Sequence, residues 1–277
     1  MLPSAVKNPP NIDSKGPDME FSRLINLKPP ELRAVIRQGK WTQRMHGLGV
    51  GYTMANLAIL PKEYAYDFLL FCQRNPKPCP ILEVLDIGSA EPSQYAPGAD
   101  IRTDLPRYRI FEHGNLISEP TDIVQYWRSD LVAFLLGCNL TCASAMERAQ
   151  VPMTTSVLYV SNIACRPAGP FSGPVIVSMR RIPRDKVVRA VQVTSRFPNT
   201  HGAPAHIGNP ADIGITDMSK PYFGIPPQFQ PDEVPVFWAC GVTPQSVALE
   251  AKVPFMITHA PGHMFVTNAY DEETAAL

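Results

Sequence analysis

The sequence predicts an α/β protein: a larger α/β portion with parallel strands, joined to a smaller two-layer α+β portion. Three observations carry that expectation. In the second half, buried strand-like runs ("GPVIVSMRRI", "VPVFWACG", "PFMITHA") alternate with helical ones ("PRDKVVRAVQVTSRF", "TPQSVALEAK"), which argues for parallel pairing through right-handed crossovers. In the first half, short strand-like pieces lie between helical stretches, as in a small two-layer unit. Finally, 277 residues with 45% hydrophobic side chains can bury a core of that size without staples.

Taken in order, residues 1–20 are proline-rich and polar and read as a flexible tail with no apolar stretch for a signal sequence. "KPPELRAVIRQGK" opens on prolines, carries Leu32, Val35 and Ile36 at helical spacing and stops at Gly39, so it predicts a short amphipathic helix. "LPKEYAYDFLLFCQRNPKPCP" predicts a second, begun by proline and closed by Asn75-Pro76. "ILEVLDI", "RYRIFEHG" and "NLISEP" read as strands, with a hairpin turn at His113-Gly114-Asn115. "PTDIVQYWRSDLVAFLLGC" reads as a helix capped by Thr121 or Asp122. The expected division is residues 62–150 for the smaller unit, and 21–61 with 151–277 for the larger.

Lysine plus arginine balances aspartate plus glutamate at 25 each, with no basic run. Charge therefore favours neither nucleic acid nor an anionic membrane as a partner, and a small-molecule substrate is expected. Self-association stays open. No segment reaches the length of a membrane span. The six cysteines form no CxxC pair, which fits reduced thiols and a cytoplasmic location better than a disulfide framework or a zinc site.

If the sheet is parallel, ligands bind beyond the carboxyl ends of its strands. Cys240 and His259 then end neighbouring strands at one edge. Gly241 permits a tight turn, Thr243 suits a helix cap, Pro244 suits the first helical position, and this helix start offers free N–H groups to an oxyanion. Gln245, just inside it, faces either ligand or solvent. In "HAPGH", Pro261 and Gly262 exclude a helical metal pair of His259 and His263. A second pair, His201 and His206 in "HGAPAH", would be needed for a four-imidazole site, and no carboxylate is near either pair. No metal and no cofactor is expected. Arg102, Asp104, Arg107 and Arg109 either grip a carboxylate or form an ion-pair lattice. Asn56 and Asn162 are polar groups within apolar stretches that orient a ligand or pin a loop. "GLGVG" at 47–51 resembles a phosphate loop loosely, but no strand precedes it.

The stretches "FCQRNPKPCP", "DIRTDLPRYRIF", "RPAGPFSGPVIVSMR", "HGAPAHIG", "PVFWACGVTPQ" and "ITHAPGHMFVT" closely resemble the hydro-lyase family related to mammalian mitochondrial D-glutamate cyclase, over about residues 31–270. The resemblance implies an α/β fold with a three-layer α/β portion and a smaller two-layer α+β portion, and a lyase that removes water or closes an amino acid to a cyclic amide. Against the family pattern, Ala143 stands in place of a glutamate, "MTT" after Pro152 in place of an Arg-His pair, Val160 in place of an arginine and Asn268 in place of an aspartate.

These departures imply a pocket made more apolar. They predict a cofactor-free cyclase of the Diels–Alderase type acting on an apolar, carbonyl-bearing metabolite. In that reading His259, His263, His206 and Gln245 are the polar catalytic group, and Cys240, Gly241 and Thr243 form the anion site. Tyr159, Trp238 and Met264 would be its walls. The alternatives are the family reaction on a small acid, with Arg102, Asp104 and His201 in the missing roles, and a non-catalytic metabolite-binding protein.

Overall fold

A computed structural model describes residues 18–154 and 156–276. Most of the tail expected at 1–20 lies outside the described residues, and from Asp18 the chain is helical. The elements are α1 (Asp18–Leu24), α2 (Pro29–Arg37), β1 (Tyr52–Pro61), α3 (Lys62–Arg74), β2 (Ile81–Val84), β3 (Tyr108–Glu112), β4 (Asn115–Ser118) and β5 (Leu131–Gly137). There follow α4 (Ala143–Arg148), β6 (Val157–Ala164), β7 (Pro174–Pro183), α5 (Val187–Ser195), β8 (His206–Ile207), β9 (Glu233–Ala239), α6 (Val242–Glu250), β10 (Met256–His259) and β11 (Phe265–Tyr270).

Local chemistry sets several of these elements. Prolines occupy the first turn of α2, where their missing N–H groups have no helical partner to lose. Glu31 reaches back to accept from the Lys28 N–H at 2.9 Å, while Leu32 and Ile36 turn inward. The β3–β4 hairpin turns through His113 (φ 48°) and Gly114 (φ 81°), the two left-handed positions of a tight two-residue turn.

Among the described residues the strands form two sheets, and every pairing is antiparallel. The larger has seven strands in the order β2-β5-β1-β10-β3-β4, with β11 also paired to β1; the smaller has the order β6-β7-β9-β8. The fold is thus mixed α/β, and the expectation of parallel strands is corrected. Alternation of helix and strand identifies element types, but direction depends on the connections. Between β7 and β9 the chain passes through α5 and a long excursion including β8, and returns running the opposite way.

The helix expected over 120–138 is also corrected. It is a 3₁₀ turn at Val124–Tyr126 followed by β5. Asp122 accepts from the Val124 N–H at 3.2 Å and so starts a turn. Val132, Phe134 and Leu136 enter one core and Leu131, Ala133 and Leu135 another. A run buried on both sides has no polar face, so its hydrophobicity pattern cannot separate strand from helix.

The larger sheet therefore carries apolar residues on both faces. One face shares a core with α3, α6 and the inner residues Val177, Phe237 and Ala239 of the smaller sheet. The other is covered by the irregular stretch that contributes Leu85, Ile101 and Leu105. The outer face of the smaller sheet, through Ile182, Val236 and Trp238, packs on α4 and α5. Strands from 52–61, 81–137 and 256–270 make the larger sheet, which runs across the divisions drawn at 61 and 150.

Candidate functional site

A cavity of about 210 Å³ opens between the loop leading into β1, the turn after β5, the segment before β6 and Arg180 of β7. Met45, Leu48, Met54, Leu140 and Met153 give it apolar walls, while Thr141, Ser144, Thr154 and Ser156 supply hydroxyls. Among the described residues, no aspartate or glutamate lines it.

Arg180 is the dominant charge. It sits on β7 opposite Val236 and is only 5% exposed. Its Nη1 donates to the Thr154 carbonyl, whereas its Nη2 has no hydrogen-bond partner among the described residues. No carboxylate among the described residues pairs with it. Burial consequently pulls its pKa below the ordinary arginine value. A desolvated cation with an unused donor is costly unless something supplies the missing acceptor.

His46 lines the same cavity at its exposed edge. Desolvation lowers its pKa, and the charges of Arg44 and Arg180 lower it further, so the ring is neutral near pH 7. On the opposite wall Ser144, in the first turn of α4, donates its hydroxyl to the buried carboxylate of Asp271. Neither Arg180 nor His46 was anticipated from the sequence, yet a signal for the arginine exists. In a strand buried on both faces, the adjacent Arg180 and Arg181 must point to opposite sides, so one guanidinium is forced inward.

The "HAPGH" segment has a different task. β10 pairs with β1 at Ala58 and Ile59, and β11 pairs with the same edge of β1 up to Ala55. Between them the ladder is interrupted, and the turn through Pro261 and Gly262 carries the chain from one strand to the next. The Leu57 N–H falls in that interruption and donates to His259 Nδ1 at 3.1 Å. Gln245 Nε2 of α6 donates to the same nitrogen at 3.0 Å, placing the neutral ring's hydrogen on Nε2. Burial brings the His259 pKa down from 6.5 to about 3. The buried imidazole thus completes a broken ladder.

Cys240 and His259 end strands of different sheets, correcting the expectation of a shared edge, although packing of the two sheets still brings their surroundings together. Asn56 Nδ2 donates to the Gly137 carbonyl at 2.8 Å, and a Cβ on Gly241 would lie 2.0 Å from that same nitrogen. The Thr243 hydroxyl bonds to both backbone groups of Ile176, accepting at 3.0 Å. It ties α6 to β7 instead of capping the helix, and Pro244 is the third helical residue, not the first. Burial pushes the Cys240 thiol up to about 12, which leaves it a poor nucleophile.

The remaining candidates are dispersed. Asp104 is fully buried and accepts two 2.7 Å hydrogen bonds from Arg37, so it anchors α2. Arg102 pairs with Asp100 at 2.7 Å and Arg109 with Glu119. The ion-pair reading of that stretch replaces the carboxylate grip. His263 Nδ1 donates to the Pro261 carbonyl at 3.0 Å, and His206 Nε2 to the Asn209 carbonyl at 2.8 Å. His201 is buried, its Nδ1 donating to the Lys77 carbonyl at 2.9 Å. Tyr159 donates to the Met218 carbonyl and Trp238 to the Thr194 hydroxyl. Met264 packs with Leu48 and Met54, and Asn162 is exposed on β6. None of these lines the 210 Å³ cavity.

Among the positions that depart from the family pattern, Ala143 and Thr154 do line it, whereas Val160 does not. Asn268 instead accepts from Arg33 at 2.8 Å. Among the described residues, no group of three or more His, Cys, Asp or Glu side chains is arranged to hold a metal ion, and no helix is long and apolar enough to cross a membrane.

The fold and cavity define a mixed α/β protein with a small electropositive chamber. The D-glutamate cyclase family matches residues 132–268. A protein named "Putative hydro-lyase" from Stutzerimonas stutzeri (strain A1501) is 54% identical over 94% of this chain and 100% of its own. Similarly named proteins from Thermoanaerobacter sp. (strain X514) and Geobacillus kaustophilus (strain HTA426) are 57% and 55% identical, over 90% and 94% of this chain and 97% and 100% of theirs. The chain belongs to this hydro-lyase family.

Proposed function

We propose that the protein removes water from a small hydroxy or amino acid, as a hydro-lyase or a D-glutamate cyclase-like enzyme, with Arg180 holding the substrate carboxylate. The observation that carries this reading is a buried guanidinium whose Nη2 finds no partner among the described residues, in a cavity whose described lining has no carboxylate. A ligand carboxylate would supply the missing acceptor and offset the charge. The relatives' names and the D-glutamate cyclase match support the same chemistry. A chamber of about 210 Å³ is smaller than the roughly 300–1,000 Å³ of sites for drug-sized ligands. That weighs against folding a polyene or terpenoid inside it.

Dehydration and lactam closure need the same two proton movements. In dehydration, a proton leaves the carbon beside the carboxylate, a C=C bond forms and the C–O bond breaks. In lactam closure, the neutral amine nitrogen loses a proton and bonds to the carbon of the distal carboxylic acid, whose C–OH bond breaks. Either way water departs. His46, neutral beside Arg180, takes the proton, and the resulting imidazolium returns it to the leaving oxygen. Arg180 stabilises charge developing on the held carboxylate.

Incubation with D-glutamate and a panel of small hydroxy acids, followed by proton NMR, tests the reading. Conversion to a product lighter by one water is expected, with KM raised at least tenfold in Arg180→Gln. Absence of turnover across the panel, or an unchanged KM in that variant, would sink it.

A further inference from the structure

One hydroxyl in the cavity is set apart by its partner. Thr141 and Thr154 serve the backbone: Thr141 accepts from the Met54 N–H at 3.0 Å and Thr154 donates to the Arg181 carbonyl at 3.5 Å. Ser144 lines the same cavity, but its hydroxyl donates to Oδ2 of Asp271, a carboxylate only 3% exposed. The other oxygen, Oδ1, accepts from the Glu272 N–H at 2.8 Å. The Asp271 N–H donates to the Gly51 carbonyl at 3.0 Å and its carbonyl accepts from the Thr274 hydroxyl at 2.7 Å, so the residue is held from both sides. Among the described residues, no lysine, arginine or histidine forms an ion pair with it.

A serine hydroxyl has one hydrogen and two lone pairs. With the hydrogen committed to Asp271, Ser144 offers a ligand lone pairs alone, and the carboxylate behind it makes them stronger acceptors. The chamber thus contains a bare acceptor, Ser144 Oγ, as well as a bare donor, Arg180 Nη2. We propose that Ser144 accepts the O–H of the substrate's leaving hydroxyl, and that Asp271 is a positioning residue that fixes Ser144 in that role. This rests on the water-removing reaction proposed for the cavity. As the His46 imidazolium protonates the leaving oxygen and the C–O electron pair goes to that oxygen, the departing O–H becomes a stronger donor. Its hydrogen bond to Ser144 therefore strengthens toward the transition state, which is the condition for an interaction to raise kcat. Ser144 keeps its own hydrogen throughout, and water departs with the proton from His46.

The test measures binding of butyrate, 2- and 3-hydroxybutyrate, their O-methyl ethers and 3-aminobutyrate to the full chain by calorimetry, as wild type, Ser144→Ala, Asp271→Asn and Arg180→Gln. In the wild type a hydroxy acid should bind at least tenfold more tightly than its ether, which has no hydrogen to donate. Ser144→Ala should remove that preference and lower kcat at least tenfold, while butyrate affinity stays within twofold and so reports a folded variant. In Asp271→Asn the carbonyl oxygen stays with the Glu272 N–H, so the amide nitrogen donates to Ser144 and turns the serine hydrogen toward the cavity. The preference should then invert in favour of the ether, which loss of packing alone does not produce. A wild type with no preference for hydroxy acid over ether overturns the proposal without any variant. So does a wild-type kcat in Ser144→Ala, or an Asp271→Asn variant that binds butyrate normally and still prefers the hydroxy acid. A Ser144-dependent preference for 3-aminobutyrate over 3-hydroxybutyrate would seat an amine there and overturn it as well. Failure of the Arg180 assignment is separately visible as butyrate binding that Arg180→Gln leaves unchanged, and a wild type that binds none of these acids overturns both.

Discussion

Two buried nitrogen bases, one on each sheet, meet opposite fates. His259, on the larger sheet, is satisfied: its Nδ1 receives the Leu57 N–H and the Gln245 amide, and the ring mends a gap between β10 and β11. Arg180, on the smaller sheet, retains a charge and an idle donor beside an open chamber. The first is a group whose surroundings are complete, as structural polar groups are. The second is incomplete, and incompleteness in a buried charge is the stronger pointer to a ligand.

The largest expected effect separates the two directly. Arg180→Met should lower kcat/KM on small acids at least a hundredfold while leaving stability unchanged or raised, by about 1–4 kcal/mol, because an apolar side chain replaces an uncompensated buried charge. Denaturant unfolding alongside turnover measures both halves. A large loss of stability would place Arg180 with His259 as a structural group.

His46→Gln sharpens the picture of the chamber. It should cost about a hundredfold in kcat and abolish the acid limb of the pH–rate profile. With its pKa lowered by burial, Arg44 and Arg180, the base is active through neutral pH and fails only below the ordinary histidine range. An intact acid limb in the variant would remove His46 from the reaction.

His259→Ala should behave in the converse way. Leaving the Leu57 N–H unpaired and opening a void should cost about 2–4 kcal/mol of stability, while kcat/KM of the folded fraction changes less than threefold. Loss of turnover at full stability would restore His259 as a chemical group.

The smallest effect is graded with pH. Burial lowers His259 to about 3 and His201 to about 4. The unfolded chain therefore binds protons that the folded one refuses, so stability is present above about pH 6.5 and is lost as pH falls toward those values. Each ring contributes a slope of up to about 1.4 kcal/mol per pH unit in that window. Urea unfolding between pH 7 and 5 should be less steep in its pH dependence for His259→Phe than for wild type.

Local signals in the sequence specified α2, α3, the β3–β4 hairpin and the buried strands β7 and β9. Prolines, left-handed turn residues and side-chain periodicity act over a few residues, so these elements can be read without the rest of the molecule. The stretch "DLVAFLLGC" could not, because a segment buried on both faces lacks the periodic polar face that distinguishes helix from strand. In "HAPGH" two histidines around a turn read as a site, while the structure shows a task no local pattern announces: His259 accepts from the Leu57 N–H of β1 and from Gln245. Ala143 and Thr154 line the cavity with Arg180 and His46, whereas Val160, His259 and the turn after Cys240, expected to share one pocket with them, do not.

By itself, then, the sequence determined the membership of the hydro-lyase family, the types of most elements and the residues that would be buried, since each follows from side-chain chemistry along a short stretch. Only the tertiary structure decided strand direction, the pairing of β10 and β11 along one edge of β1, and which buried cation was left without a partner. Those are properties of contacts between residues far apart in the chain, and no local pattern encodes whether a distant acceptor arrives.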